Sequence, residues 1–271
     1  MRGKDFVSII MLSHEKVKYV EESVRSVMAQ TYRNWELIFV DDNSQDNTIK
    51  VMQELREEDL RKSRSEANNN SSVSSRITIL RTVFRRGMSA NRNSVLKDVK
   101  GRWVAFLDVG DVWHPEKLER QVAFMEENDY AFSYTKYGLM NSESADRGIV
   151  VGGKRHVTHK DMLNCCWPAY LTVMYDREKV GLVQTNRILH NNDYALWLDV
   201  SKKVDLYLLP ENLATMRTKW NRLGNLLLTN KPKWRYKCYL FQEKLDPVTS
   251  LLYTIRNACY GIVKWMKYVE K

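Results

Sequence analysis

No stretch of this chain reaches the roughly 18 uninterrupted apolar residues of a membrane-spanning helix, although 44% of its 271 residues are hydrophobic. That content suits a chain with a sizeable core, folded as one large domain or a domain with an appendage. Cysteine is scarce, and Cys165, Cys166, Cys238 and Cys259 lack metal-type spacing. Adjacent Cys165 and Cys166 suit buried small hydrophobes better than a disulfide, which fits a reducing cytosol. The histidines, His14, His114, His156, His159 and His190, form no HExxH-like array. No glycine lies between Leu12 and Tyr19, so no glycine-rich phosphate loop follows the first apolar run. The segment from Met1 leads directly into that run and leaves no room for a signal peptide. Repeats and a clean interdomain linker are also missing.

What is present is a series of apolar runs that end in acids. Trp103 to Leu107 has the length and composition of a buried strand, and it runs into Asp108-Val-Gly-Asp111. A helix is expected to open at Pro115, which suits a first helical position, with Glu116 at its positive end. Phe6 to Leu12 predicts a first strand and Val17 to Gln30 a helix. Trp35 to Val40 predicts a second strand that runs into Asp41-Asp42-Asn43-Ser44, and Ser44 or Asp46 can cap a helix from about Asn47. Arg76 to Leu80 and Met88 to Val99 extend the alternation. A βαβαβαβ order calls for a parallel sheet with right-handed crossovers. Carboxylates at the carboxyl ends of such strands lie where α/β sheets bind ligands. Two acids there can hold a divalent cation and, through it, a diphosphate.

Two segments differ from the rest. Glu57 to Ser75 is charged and then polar, without an apolar period, and reads as a flexible insertion. From Arg217 to Lys271 there are twelve Lys/Arg against three Asp/Glu, a surplus of nine in a chain of net charge +10. Tryptophan and tyrosine are interleaved there. A solvated basic face is one reading. A nucleic-acid groove is disfavoured, since no recognised motif for one appears. An anionic membrane surface suits the mixture of lysine and aromatic residues better. The chain is accordingly divided into a domain over residues 1–217 and a helical basic tail over 218–271.

Several of these segments resemble family 2 glycosyltransferases of the GT-A fold. The likeness lies in Ser8-Ile-Ile-Met11, Tyr19-Val-Glu-Glu-Ser23, Ser26-Val-Met-Ala-Gln30-Thr31-Tyr32, Trp35 to Ser44, Gly101 to Asp108 and Asp193-Tyr-Ala-Leu-Trp-Leu198. They occur in the family's order over about 190 residues. The likeness is to bacterial enzymes of surface-polysaccharide assembly, including teichuronic and other exopolysaccharide transferases, and extends to Ser250–Val263. It implies an α/β Rossmann-like sheet and transfer of a sugar, with inversion, from a nucleotide diphosphate donor. The implied acceptor is a lipid-linked glycan, at the cytoplasmic face of the membrane.

The resemblance also assigns roles. Asp193 takes the place of the general base, opening an amphipathic helix whose apolar residues fix it; capping that helix is the alternative. Ser13, His14, Asp42, Arg92 and Asp108 fall at donor-binding positions, with Asp42 on the base or ribose and His14 stacked on the base. Arg92 with Asn93 matches a family Arg-Asn pair, and a structural salt bridge is the other reading of Arg92. Mg²⁺ or Mn²⁺ would be held by Asp108 and Asp111. Three positions depart from the pattern. Gly110 replaces the acid that ligates the metal, Leu12-Ser13-His14-Glu15 replaces Pro-Thr-Tyr-Asn, and Asn192 replaces an acid or glutamine. The cation therefore falls to Asp108 or Asp111, or is dispensed with. A catalytically weakened sugar-binding subunit is the rival to an enzyme. A sugar nucleotidyltransferase is excluded by the missing glycine loop.

Overall fold

A computed structural model describes residues 5–66, 75–85, 87–184, 192–218 and 231–270. Its centre is a parallel sheet of β1 (Val7–Ser13), β2 (Trp35–Asp41), β3 (Ile77–Arg81) and β4 (Trp103–Asp108), in spatial order β3-β2-β1-β4. Each strand runs one residue beyond its expected apolar run, into the polar residue that follows. The register aligns these ends: Ser13 opposes Asp41, Asp41 opposes Arg81, and Leu12 opposes Asp108. Parallel register therefore brings the polar residues to one edge.

Beyond β4 the sheet becomes mixed. Strand β5 is Val112–Trp113, β6 Phe132–Met140, β7 Asp146–Val151, β8 His156–Val157, β9 Met174–Asp176 and β10 Leu206–Arg217. Strand β9 runs antiparallel between β4 and β6, while β10 lies parallel to β6. The helices are α1 (Val17–Met28), α2 (Thr48–Glu66), α3 (Met88–Val95), α4 (Lys117–Glu127), α5 (His159–Asn164), α6 (Arg177–Val180) and α7 (Asn192–Ser201). Alternate residues of the central strands feed two cores. Ile9, Met11, Leu37, Phe39, Ala105 and Leu107 meet α1, α2 and α4 on one face. Ile10, Ile38, Val104 and Phe106 meet Val95, Met162 and Trp197 on the other.

Two expectations change. Residues 57–66 do not loop out: α2 continues through them to Glu66. Ion pairs of Glu58 with Arg25 and Lys62, and a bond from Arg76 to buried Asp59 at 2.6 Å, anchor this half of the helix, where Leu60 is the one apolar residue. Residues 67–74, the rest of the expected insertion, lie outside the described residues. Helix α4 begins at Lys117 rather than Pro115, and buried Gln30 accepts from the Leu118 amide at 2.9 Å to cap it. Asp46, one of two expected caps of α2, accepts from Thr48 N at 3.0 Å and also from Val17 N of α1 at 3.1 Å.

The described part of the tail is helical, with α8 (Lys231–Lys237), a π turn (Cys238–Gln242) and α9 (Pro247–Tyr268). It ends in β11 (Val269–Glu270), which pairs antiparallel with β7, so the tail closes onto the same sheet. Among the described residues no helix is long and apolar enough to cross a membrane. The cysteines are free thiols.

Candidate active site

Residues of the family-like segments that carry no chemistry brace the sheet. At the amino edge, Ser8 Oγ donates to Glu36 at 2.6 Å and accepts from Gly101 N at 2.8 Å, and Lys100 N donates to the same Glu36 oxygen at 3.0 Å. A Cβ on Gly101 would lie 2.6 Å from Phe6 O and Ser8 N, so only glycine fits there. At the opposite edge, α1 fastens the acidic turn. Ser23 Oγ accepts from Gly110 N at 2.9 Å and donates to Asp111 O at 2.7 Å; Ser26 Oγ accepts from Trp113 N at 3.1 Å. Gln30 donates to His114 O at 2.7 Å.

The turn carries Asp108 at the end of β4. Its Oδ1 is inaccessible and has no hydrogen-bond partner among the described residues. Burial, then the negative charges of Asp193 and Asp111, hold its pKa well above the ordinary carboxylate value, against the pull of Arg92 and Lys16. The charges of Asp111 and Asp193 are thus felt at Asp108, at the carboxyl end of β4. Asp111 is partly engaged: its Oδ1 accepts from Arg217 N at 2.8 Å. Gly110 between them has φ +113°, which an L side chain rarely adopts.

Arg217, at the end of β10, is a residue that sequence reasoning used only as a domain boundary. Its guanidinium donates to Gly110 O at 2.8 Å, Asn141 O at 3.0 Å, Ser144 Oγ at 3.0 Å and the Glu22 carboxylate, and it lies 4.4 Å from the centre of the Tyr19 ring. It clamps the acidic turn to α1 and to the β6–β7 hairpin. No local pattern signals it, because its partners are up to 195 residues away.

The nucleotide side is built on the ends of β1 and β2. Asp42, buried, accepts from Asn91 Nδ2 at 2.8 Å and Gly87 N at 3.0 Å. Its carboxylate therefore fastens the start of α3, and Asn91 is a second residue the sequence reading did not single out. His14 Nδ1 lies 3.0 Å from Asp42 O, beside the expected residue but held to its backbone. Ser13 Oγ is buried and makes no hydrogen bond among the described residues. Asp41 accepts from Ser44 N at 2.9 Å and holds the turn after β2.

Arg92 and Asp193 prove to be partners. Arg92, 2% exposed, donates to Asp193 Oδ1 at 3.2 Å, while Asp193 is 52% exposed. Burial opposes the charge on Arg92, and Tyr170 and Asp193 outweigh it and raise its pKa. Residues Tyr194 to Leu198 are all buried, so α7 is enclosed on nearly every side rather than amphipathic. That enclosure leaves Asp193 little freedom to move. Asn192 opens α7, and His190 lies outside the described residues.

A divalent cation has one fitting donor here in Asp108, whose buried oxygen lacks a partner. Among the described residues no three His, Cys, Asp or Glu side chains form a ready cage. Oxygens of a bound diphosphate would have to complete the shell, as expected where Gly110 replaces an acid.

The profile of "Glycosyl transferase family 2" matches residues 8–150, more than half of the chain. The chain is 33% identical over 244 residues to the putative teichuronic acid biosynthesis glycosyltransferase TuaG of Bacillus subtilis, covering 90% of this chain and 89% of that one. It is 35% identical over 260 residues, covering 95% and 94%, to the UDP-Glc:alpha-D-GlcNAc-diphosphoundecaprenol beta-1,3-glucosyltransferase WfgD of Escherichia coli. In structure it matches S. aureus TarS 1-349 in complex with UDP-GlcNAc, with a TM-score of 0.68 at 14% identity over 96% of this chain and 72% of that one. A mannosyltransferase from Pyrobaculum calidifontis, in complex with GDP-Man and Mn²⁺, gives 0.63 at 13% identity over 95% and 72%. These structures share the GT-A fold with it. The chain belongs to glycosyltransferase family 2 and is an enzyme of that class.

Proposed function

We propose that the protein transfers a sugar, with inversion, from a uridine diphosphate donor to a lipid-diphosphate-linked glycan during surface-polysaccharide assembly. The observation that carries this reading is the Arg92–Asp193 pair next to Asp108. One half-exposed carboxylate and one with an inaccessible oxygen and a raised pKa are set apart in role by their surroundings. Asp193 accepts the proton of the attacking acceptor hydroxyl, and Arg92 keeps that carboxylate oriented. Direct attack on the anomeric carbon expels the nucleoside diphosphate from the opposite side, which inverts the centre.

Asp108 is the residue that would hold Mg²⁺ or Mn²⁺, with Asp111 nearby. When bound, such an ion offsets negative charge on the departing diphosphate. Ser13, with an unused hydroxyl, and His14 border the nucleotide. Asp42 serves by fixing Asn91 and the start of α3. The lipid-linked acceptor is supported by the name of WfgD, which acts on a GlcNAc-diphosphoundecaprenol, and the polysaccharide context by that of TuaG; peripheral attachment to the inner membrane face follows from such an acceptor.

The test is direct. The purified protein is incubated with UDP-glucose or UDP-GlcNAc, a synthetic lipid diphosphate-GlcNAc and Mn²⁺. Release of UDP together with a β-linked disaccharide lipid supports the proposal. Donor binding without turnover on any acceptor favours the binding-subunit reading, which the Gly110 and Asn192 departures motivate.

A further inference from the structure

Helix α9 is turned inside out. Its protein-facing side carries Ser250, Thr254 and Asn257, all buried. Its outward side carries Val248, Leu251, Leu252, Ile255, Ile262, Val263 and Met266, between 44% and 78% exposed. Spaced at 100° per residue, these apolar side chains and exposed Cys259 fill one broad face without a charge in it. A helix of a water-facing protein would show the reverse. The helix is 22 residues long, about 33 Å at 1.5 Å per residue, and the face runs along most of it from Val248 to Met266, a contiguous stripe rather than scattered surface hydrophobes.

The chemistry around it selects the occupant. Helix α9 contains no Asp or Glu and carries Arg256, Lys264 and Lys267, with Tyr253, Tyr260, Trp265 and Tyr268. Cations and amphipathic rings beside an apolar face are the composition of a helix lying in a bilayer interface, where anionic headgroups meet the cations. Not every cation of the tail is free for headgroups: Arg235 stacks 4.4 Å from the centre of the Tyr194 ring, and Lys264 of α9 itself donates to Cys166 O at 3.2 Å, which leaves Arg256 and Lys267 as the α9 cations beside the apolar face.

The inner side of α9 reaches the catalytic helix. Asn257 Nδ2 donates to Tyr239 Oη at 3.1 Å and to Tyr194 Oη at 3.4 Å, and the two tyrosine hydroxyls lie 2.8 Å apart. Tyr194 directly follows Asp193.

We infer that α9 docks in the plane of an anionic membrane through its Val248–Met266 face, with its polar side setting Asp193 within about two helix diameters, roughly 20 Å, of the headgroups. Only the benefit of this depth to catalysis rests on the lipid-linked acceptor proposed above. Docking itself is a property of the chain without substrate.

Cys259, exposed within the face, provides the probe. The full chain labelled there with an environment-sensitive fluorophore is mixed with vesicles of phosphatidylcholine containing 40% phosphatidylglycerol. A blue shift is expected, weaker with pure phosphatidylcholine and reduced by salt. Leu251→Gln with Ile255→Gln, both at exposed positions, should lower vesicle affinity at least tenfold. The same pair should leave Mn²⁺-dependent donor hydrolysis unchanged. Sedimentation of the lipid-free protein reports on a second copy as occupant. No shift with either vesicle, undiminished binding by the double variant, or a dimer that the double variant dissolves would each overturn the inference. Loss of transferase activity with docking intact would overturn the functional proposal alone.

Discussion

Arg92 and Asp193, 101 residues apart in the chain, share a 3.2 Å hydrogen bond in which the cation is buried and the anion is not. A buried guanidinium is costly without a partner, so the pair fixes where the half-exposed Asp193 carboxylate points. Asp193→Asn is expected to keep the fold and donor affinity and to slow transfer by roughly 10²-fold or more. Arg92→Lys retains charge but not the planar fork. It should lower kcat with little change in donor KM, and a drop in donor affinity alone would remove Arg92 from an orienting role.

The acidic turn gives a second prediction. Asp108→Asn removes the oxygen without a partner that a cation would take. Stabilisation of the protein by UDP with Mn²⁺, read as a shift in Tm, should fall to the value seen with chelator. Restoring an acid by Gly110→Asp has a backbone cost, because φ is +113° there although no atom lies within 4 Å of a new Cβ. Gly110→Ala and Gly110→Asp should therefore lose stability alike, by about 1–3 kcal/mol in urea denaturation. Only the aspartate variant should reach half-maximal rate at lower Mn²⁺.

Lys117 supplies a pH test away from the chemistry. It is buried, donates to Gln121 Oε1 at 2.7 Å and lies 4.2 Å from the centre of the Trp113 ring. Burial lowers its pKa to about 7. A lysine depressed on folding supports the fold above its unfolded pKa of about 10.4 and costs stability as pH falls toward 7. Lys117→Met should gain stability over the parent between pH 10 and pH 7. The difference between the two pH values cancels any fixed packing cost; a gain independent of pH would contradict the lowered pKa of the buried amine.

Gly101→Ala tests the opposite edge. The new methyl would meet Phe6 O and Ser8 N at 2.6 Å, and both are backbone atoms. Strands β1 and β4 must part, and a loss of about 1–3 kcal/mol or more is expected. Unchanged stability would show that the two strands tolerate separation at that point.

The strands and the acids at their ends were legible in the amino-acid order. A buried parallel strand is a continuous apolar run, and Val40-Asp41 and Leu107-Asp108 mark where each run meets the site edge. The family likeness marked Ser8, Glu36, Ser23, Ser26, Gln30 and Gly101 without saying what they do. Their work is hydrogen bonding between segments far apart in the chain. Tertiary structure alone decided four matters. Arg92 chooses Asp193 because α3 and α7 share one core on the same face of the sheet. Arg217 clamps the acidic turn because β10 returns beside it. Residues 57–66 are helical because distant Arg25 and Arg76 neutralise Glu58 and Asp59. The apolar side of α9 faces outward because Tyr194 and Tyr239 offer their hydroxyls to its polar side. Apolar periodicity reports that a helix has two faces, and only the partner's chemistry determines which of them is buried.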